Sequence, residues 1–251
     1  MRPRIAIPVP HSKKPDYSQR SLPQYVSAIE RAGGEAVVIQ LQQSSDAIAR
    51  QITNCHGVLL PGSAADVDPE KYGEEKRPET KEADALRDQA DELLLQDAFN
   101  LRKPVLGICY GLQSLNVWRT GTLVQDIHCE LGSKVNHEAG RTIARAHAVE
   151  VDPQSRLAEI LHAANSGRNE SDLDPLRLQV NSSHHQSAKV PGDGLRIGAR
   201  CPEDSVIEAL EGTSPSQWVV AVQWHPERTY AEEPASRALF GALINAAKAK
   251  I

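Results

Sequence analysis

Short apolar runs alternating with helix-like stretches set the strongest limit on how this chain can fold. RIAIPV (4–9), EAVVIQL (35–41), HGVLLPG (56–62) and KPVLGI (103–108) read as buried strands. Between them, SLPQYVSAIERAGG (21–34) places Leu22, Tyr25, Val26 and Ile29 on one helical face and stops at Gly33-Gly34. TKEADALRDQADELLLQDAFNLRK (80–103) reads as a longer helix with Leu86, Ala90, Leu93 and Leu94 at helical spacing. This alternation requires a mostly parallel central sheet covered on both faces, a three-layer α/β/α arrangement.

The second half changes character. Residues 142–151, 178–186, 195–202, 206–212 and 218–227 are short extended segments without long helices between them. They suit antiparallel additions to the sheet in the C-terminal half. NSGRNESDLDP, near 165–175, reads as a polar loop, and ASRALFGALINAAKAK (235–250) as an amphipathic closing helix. There is no internal repeat and no low-complexity linker, so a single domain over 1–251 is expected.

Charge and cysteine usage exclude several functions. Lysine plus arginine number 28 against 33 acidic residues, a formal charge of −5 without any basic run, which disfavours nucleic acid. The first apolar stretch is broken by Pro8 and is too short for a signal core or a membrane span. Cys55, Cys109, Cys129 and Cys201 are scattered with no C-x-x-C pair, which argues against a disulfide framework or a zinc site. A cytoplasmic location, no membrane partner, and neither metal nor cofactor are the expectations.

Three strand ends carry chemistry. In VLGICYGLQSLN (105–116), a cysteine stands between two glycines where a strand meets a helix, the form of a nucleophile elbow with sulfur in place of oxygen. The helix N-terminus behind Cys109 lowers a thiol by about one pKa unit, too little to ionise it, so a base is required. In QWHPE (223–227), Pro226 biases His225 to an extended conformation that sets its imidazole beside Glu227, the base and orienter of a triad. In LPGS (60–63), the Gly62 N–H can join the Tyr110 N–H as an oxyanion hole.

Other features have plainer readings. Asp66-Val67-Asp68 lacks a third ligand and reads as a solvated loop. His184 and His185 point to opposite faces of an extended chain, so one in a pocket is favoured over both on one ion. Cys55 and Cys129 have no elbow and are expected to be buried. Arg87-Asp88 reads as a solvated pair worth little.

Taken together and in order, LPGSAADVDPEKYG, GICYGLQSLN, NSSHHQSAK and VQWHPE resemble the class I glutamine amidotransferase-like superfamily, in particular its stand-alone γ-glutamyl hydrolases. The resemblance implies a flavodoxin-like sheet, Cys109 as nucleophile, His225 as acid/base and Glu227 as third triad member. It also implies Gly62 and Tyr110 as backbone oxyanion donors, Gln113 as the grip on the glutamyl moiety and His185 on the pocket wall. Three departures stand out. Tyr110 stands where an arginine is common and leaves the specificity for the leaving amine open. Arg119-Thr120-Gly121 replaces a Gly-Gly ending, and Asp204-Ser205 replaces an Asp-Gly turn.

The resulting expectation is a cysteine hydrolase of small γ-glutamyl amides such as γ-glutamyl-γ-aminobutyrate, with polyamine catabolism as its setting. A homodimer is compatible with it. The alternative is a glutaminase subunit feeding ammonia to a separate synthase partner. A catalytically idle interaction module is the third reading, and the joint presence of Cys109, His225 and Glu227 argues against it.

Overall fold

A computed structural model of the chain describes residues 1–165 and 176–251, so the loop expected near 165–175 lies largely outside the described residues. The first half runs β1 (Arg4–Pro8), α1 (Pro15–Arg31), β2 (Glu35–Ile39), α2 (Ser45–Thr53), β3 (Gly57–Leu60), α3 (Ala85–Asn100), β4 (Val105–Ile108) and α4 (Tyr110–Trp118). There follow β5 (Thr122–Val124), α5 (Ile127–Leu131), β6 (His147–Val151), α6 (Arg156–Asn165), β7 (Arg177–Val180) and β8 (Ser187–Val190). The chain ends with β9 (Leu195–Arg200), β10 (Ile207–Gly212), β11 (Val219–Val222) and α7 (Pro234–Lys248). Among the described residues, no helix is long and apolar enough to cross a membrane.

The strands join one sheet in the order β2-β1-β3-β4-β11-β10-β9-β6-β7, with β8 pairing β10 and β5. Strands β2, β1, β3, β4 and β11 are mutually parallel, and every other pairing is antiparallel. This is the expected mixed architecture. Alternation along β1 shows why two helical layers are needed. Ile5 and Ile7 face Tyr25 and Ile29 of α1 and Phe240 of α7, while Ala6 joins the opposite core with Ile48, Leu94 and Leu112. Three helices were not anticipated, α2, α5 and α6. Helix α6 buries Leu157, Ala158 and Leu161 in the same core as Leu239 and Leu243 of α7, so it is held by packing against a distant element.

The long helix is rotated relative to its apolar pattern. Leu86 is exposed, and Arg87, Asp91, Leu94 and Ala98 face inward. Arg87 is fully buried, contrary to the solvated pair expected. Its Nε donates to Asp91 Oδ1 at 2.7 Å, and its terminal nitrogens donate to the carbonyls of Pro10 at 2.9 Å and Pro61 at 2.6 Å. Its guanidinium lies 4.8 Å from the Tyr110 ring centroid. The carbonyls beyond the ends of β1 and β3 need donors in a dry interior, and one arginine supplies both. Asp66 is also buried rather than solvated, and Cys129 is exposed because α5 turns Ile127 inward instead.

Two of the departures noted in the sequence leave a backbone signature. Thr120 has φ 69° and Ser205 has φ 63°, both in the left-handed region that favours glycine. Thr120→Gly and Ser205→Gly are each expected to stabilise the protein by about 1 kcal/mol, raising Tm by about 2–4 °C. Arg87→Ala, which strands Asp91 and two carbonyls, is expected to cost about 3–5 kcal/mol in urea unfolding.

Candidate active site

The carboxyl ends of three adjacent parallel strands, β3, β4 and β11, bring the candidate residues together, as expected for an open α/β sheet. Cys109 follows β4 directly and takes φ 54°, ψ −106°, a strained conformation that aims its side chain out of the strand-to-helix turn. Its N–H donates to Val222 O of β11 at 2.8 Å. The flanking glycines are required by close approach. A Cβ on Gly111 would collide with the Leu60 carbonyl, and one on Gly107 would come within 2.8 Å of Gly111 O.

His225 and Glu227 stand past the end of β11, where a 3₁₀ turn spans Pro226–Arg228. His225 Nδ1 lies 2.8 Å from Glu227 Oε1, so it donates to the carboxylate and leaves the Nε2 lone pair free. Asn181 grips the histidine backbone from both sides. Its Nδ2 donates to His225 O at 2.8 Å, and its Oδ1 accepts from His225 N at 2.9 Å. Gly62 sits where these groups meet. A Cβ built on it would lie 3.0 Å from His225 Cε1, 3.0 Å from Tyr25 Oη and 3.6 Å from Cys109 Cβ.

The site is buried, and burial dominates its electrostatics. Burial pushes the Cys109 thiol up to about 12, against the opposing pull of Arg228 and of the Tyr110 N–H that faces the sulfur. Burial likewise lowers His225, with Glu227 opposing the shift. For Glu227 burial works upward, but His225, which becomes charged in the acid range where a carboxyl titrates and donates a hydrogen bond to it, outweighs burial together with the Arg228 charge, and the carboxyl stays below its usual value. The resting pair is therefore a neutral thiol and a neutral imidazole.

The other expected residues are placed less simply. The Gly62 N–H does not face open space; it donates to Tyr25 Oη at 3.1 Å, and that hydroxyl is 3.4 Å from His225 Nδ1. The Tyr110 ring turns away from the sulfur to α3, where its hydroxyl donates to Asp88, and only 1% of the residue is exposed. It therefore presents almost no surface to a leaving amine. Gln113 donates its amide to Gln186 O at 3.1 Å and Gln223 Oε1 at 3.3 Å. His185 bridges Asp66 Oδ1 at 3.1 Å and Asp126 Oδ2 at 3.3 Å. Burial opposes its charge, but these carboxylates outweigh burial and raise it. A cleft of about 800 Å³ opens along Asp68, Lys71, Glu74, Lys81, Asp88 and Glu92, and none of Cys109, His225 or Glu227 lines it.

Sequence reasoning passed over Tyr25, Asn181 and Arg228. Asn181 opens the N-x-x-x-H-Q segment and Arg228 directly follows HPE, so both stood beside recognised motifs. Tyr25 carried no signal beyond its place on an apolar helix face.

Comparison with known proteins agrees with this architecture. The sequence model of the family described as Peptidase C26 matches residues 6–227. A glutamine amidotransferase-like protein of Lactococcus lactis is 32% identical over 214 residues, 84% of this chain and 83% of the relative. The γ-glutamyl-γ-aminobutyrate hydrolase of Escherichia coli K12 is 31% identical over 229 residues, 88% of this chain and 84% of the relative. At the level of fold alone, the CTPS glutaminase domain of Trypanosoma brucei superposes with a TM-score of 0.59 at 15% identity, covering 99% of this chain and 95% of that one. With that match running from β1 through Glu227, the chain belongs to the Peptidase C26 family.

Proposed function

We propose that the protein is a cysteine-dependent hydrolase of γ-glutamyl amides, releasing glutamate and a small amine such as γ-aminobutyrate. One observation carries the reading. A cysteine in a left-handed elbow and a histidine oriented by a buried carboxylate meet around Gly62. The hydrolase name of the Escherichia coli relative supports the substrate class.

In this reading, His225 Nε2 takes the Cys109 proton as sulfur attacks the γ-carbonyl, and Glu227 stabilises the imidazolium that forms. The Tyr110 N–H, at the start of α4, receives the developing oxyanion. The Gly62 N–H joins it once Tyr25 Oη gives way. The imidazolium then protonates the departing amine, leaving a γ-glutamyl thioester. Water deprotonated by His225 attacks the thioester, glutamate leaves, and the thiol recovers its proton. Gln113 and His185 belong to the glutamyl side of this scheme. His185 is held in place there by Asp66 and Asp126, whose carboxylates favour its protonated form.

Because burial lowers His225, its neutral, basic form persists below its ordinary value of 6.5. The acid limb of kcat/KM is therefore expected below pH 6.5, with slow alkylation of Cys109 by iodoacetamide at pH 7. A limb centred above pH 7, or fast alkylation at pH 7, contradicts the neutral pair. Purified protein is expected to release glutamate from γ-glutamyl-γ-aminobutyrate without another protein. Cys109→Ala should abolish that release, and Glu227→Gln should reduce kcat by about 10²–10⁴-fold. Turnover of glutamine only when a second protein is added would instead identify a glutaminase subunit.

A further inference from the structure

Beside the Cys109 site, four side chains that the proposed reaction does not use converge on one point. They are His147 on β6, Glu208 on β10, His137 between α5 and β6, and His184 between β7 and β8. All are more than nine-tenths buried, with Glu208 at 0% exposure. His137 Nδ1, His147 Nε2 and His184 Nε2 lie 3.4, 3.5 and 3.7 Å from Glu208 Oε1.

The opposite ring nitrogens decide what these atoms carry. His137 Nε2 meets Asp204 Oδ2 at 2.8 Å, His147 Nδ1 meets Ala148 O at 3.1 Å, and His184 Nδ1 meets Gln186 O at 3.0 Å. Carbonyl and carboxylate oxygens only accept, so in each neutral ring that nitrogen holds the proton. The three nitrogens aimed at Glu208 therefore carry lone pairs. Lone pairs facing a buried carboxylate repel, and none of these nitrogens, nor either oxygen of Glu208, has a hydrogen-bond partner. A cation turns every one of these contacts attractive.

The spacing and charge specify which kind. Tetrahedral Zn²⁺ with His and carboxylate bonds of about 2.0–2.1 Å places its donor atoms roughly 3.3–3.4 Å apart, against 3.4–3.7 Å from the three rings to Glu208 Oε1 and at most 4.8 Å between any two of the four donor atoms. Asp204 behind His137 makes a carboxylate–histidine–metal relay, and with Glu208 it balances the two positive charges. The overlapping group His137, Cys201 and Asp204 is a weaker donor set, since the Cys201 thiol already donates to Glu203 Oε2 at 3.0 Å. A cavity of about 190 Å³ lined by Asp126, Ser133, Val135, His137 and His184 gives a route to the cluster.

We propose that His137, His147, His184 and Glu208 form a four-ligand Zn²⁺ site of structural type, contrary to the expectation of no metal. All four positions are protein ligands, so the ion has no open place for substrate. Its work is to fasten the 181–186 segment, which presents Asn181 to the His225 backbone and His185 to Asp66. The competing arrangement is protonic. Burial works to lower His137, but Glu208 and Asp204 raise it, so a proton on that ring is the alternative occupant.

The test strips the full-length protein with chelator and titrates it with ZnCl₂ alone. One tightly bound zinc per chain by elemental analysis is expected, with Tm rising as Zn²⁺ is added and falling again on chelation. Cys109→Ala should bind zinc unchanged, which removes the thiol as the ligand. His147→Gln and Glu208→Gln should each weaken binding at least about 100-fold, the upper end of the loss from removing an outer partner. Should both variants fail to fold, Co²⁺ bound to Cys109→Ala decides: the intense visible spectrum of tetrahedral cobalt supports the site and an octahedral spectrum overturns it. No stoichiometric zinc in the parent, or binding lost in Cys109→Ala, overturns it as well. The outcome is independent of whether γ-glutamyl amides are the substrate.

Discussion

The buried guanidinium of Arg87 is the contact around which the active end of the sheet is organised. It binds the carbonyl of Pro10, just beyond β1, and that of Pro61, the residue before Gly62. Its face covers the ring of Tyr110, the residue after Cys109, while Asp91 neutralises its charge from the same helix. One rigid fork thus sets the relative heights of two strand ends and the elbow. Such a buried pair adds little net stability over an apolar pair of similar size; its value lies in fixing where Gly62 stands relative to the sulfur.

Position matters here because the site gains little from permanent charge. Cys109 and His225 are both desolvated and both held neutral. A preformed thiolate–imidazolium pair would react with many electrophiles. A neutral pair becomes nucleophilic only as the proton moves, and that transfer depends on the geometry that Asn181, Glu227 and Arg87 impose. Tyr25 adds a further constraint, since its hydroxyl holds the Gly62 N–H that an oxyanion would use.

What the sequence made legible were the features with a local signature. The parallel strands announced themselves as apolar runs, the elbow as two glycines around Cys109, and the His225–Glu227 pair as His-Pro-Glu, although a 3₁₀ turn at Pro226–Arg228 rather than the expected extended chain sets the two side by side. The features that escaped depend on partners far along the chain. Arg87 reads as surface until Pro10 and Pro61 are known to present carbonyls to it. Tyr110 stands next to Cys109 in sequence, yet its side chain answers to Asp88. Helix α6 is too short to declare itself without α7. His137, His147, His184 and Glu208 share no spacing at all, because two strands, β6 and β10, and the segments before β6 and between β7 and β8 bring them together.

The place of β11 in the sheet has a consequence for how the molecule is made. It lies between β4 and β10, parallel to one and antiparallel to the other, and its Val219 pairs with Val105. Until β11 arrives, β4 is an open edge bordering the elbow, with its hydrogen-bonding groups unpaired. Closing that edge requires a contact of very high sequence separation, the kind that forms late in folding. A ribosome-bound chain therefore carries Cys109 for a long stretch of synthesis before β11 and the turn bearing His225 and Glu227 exist. The carboxyl end of the sheet where these residues meet is assembled only once that last strand is in place.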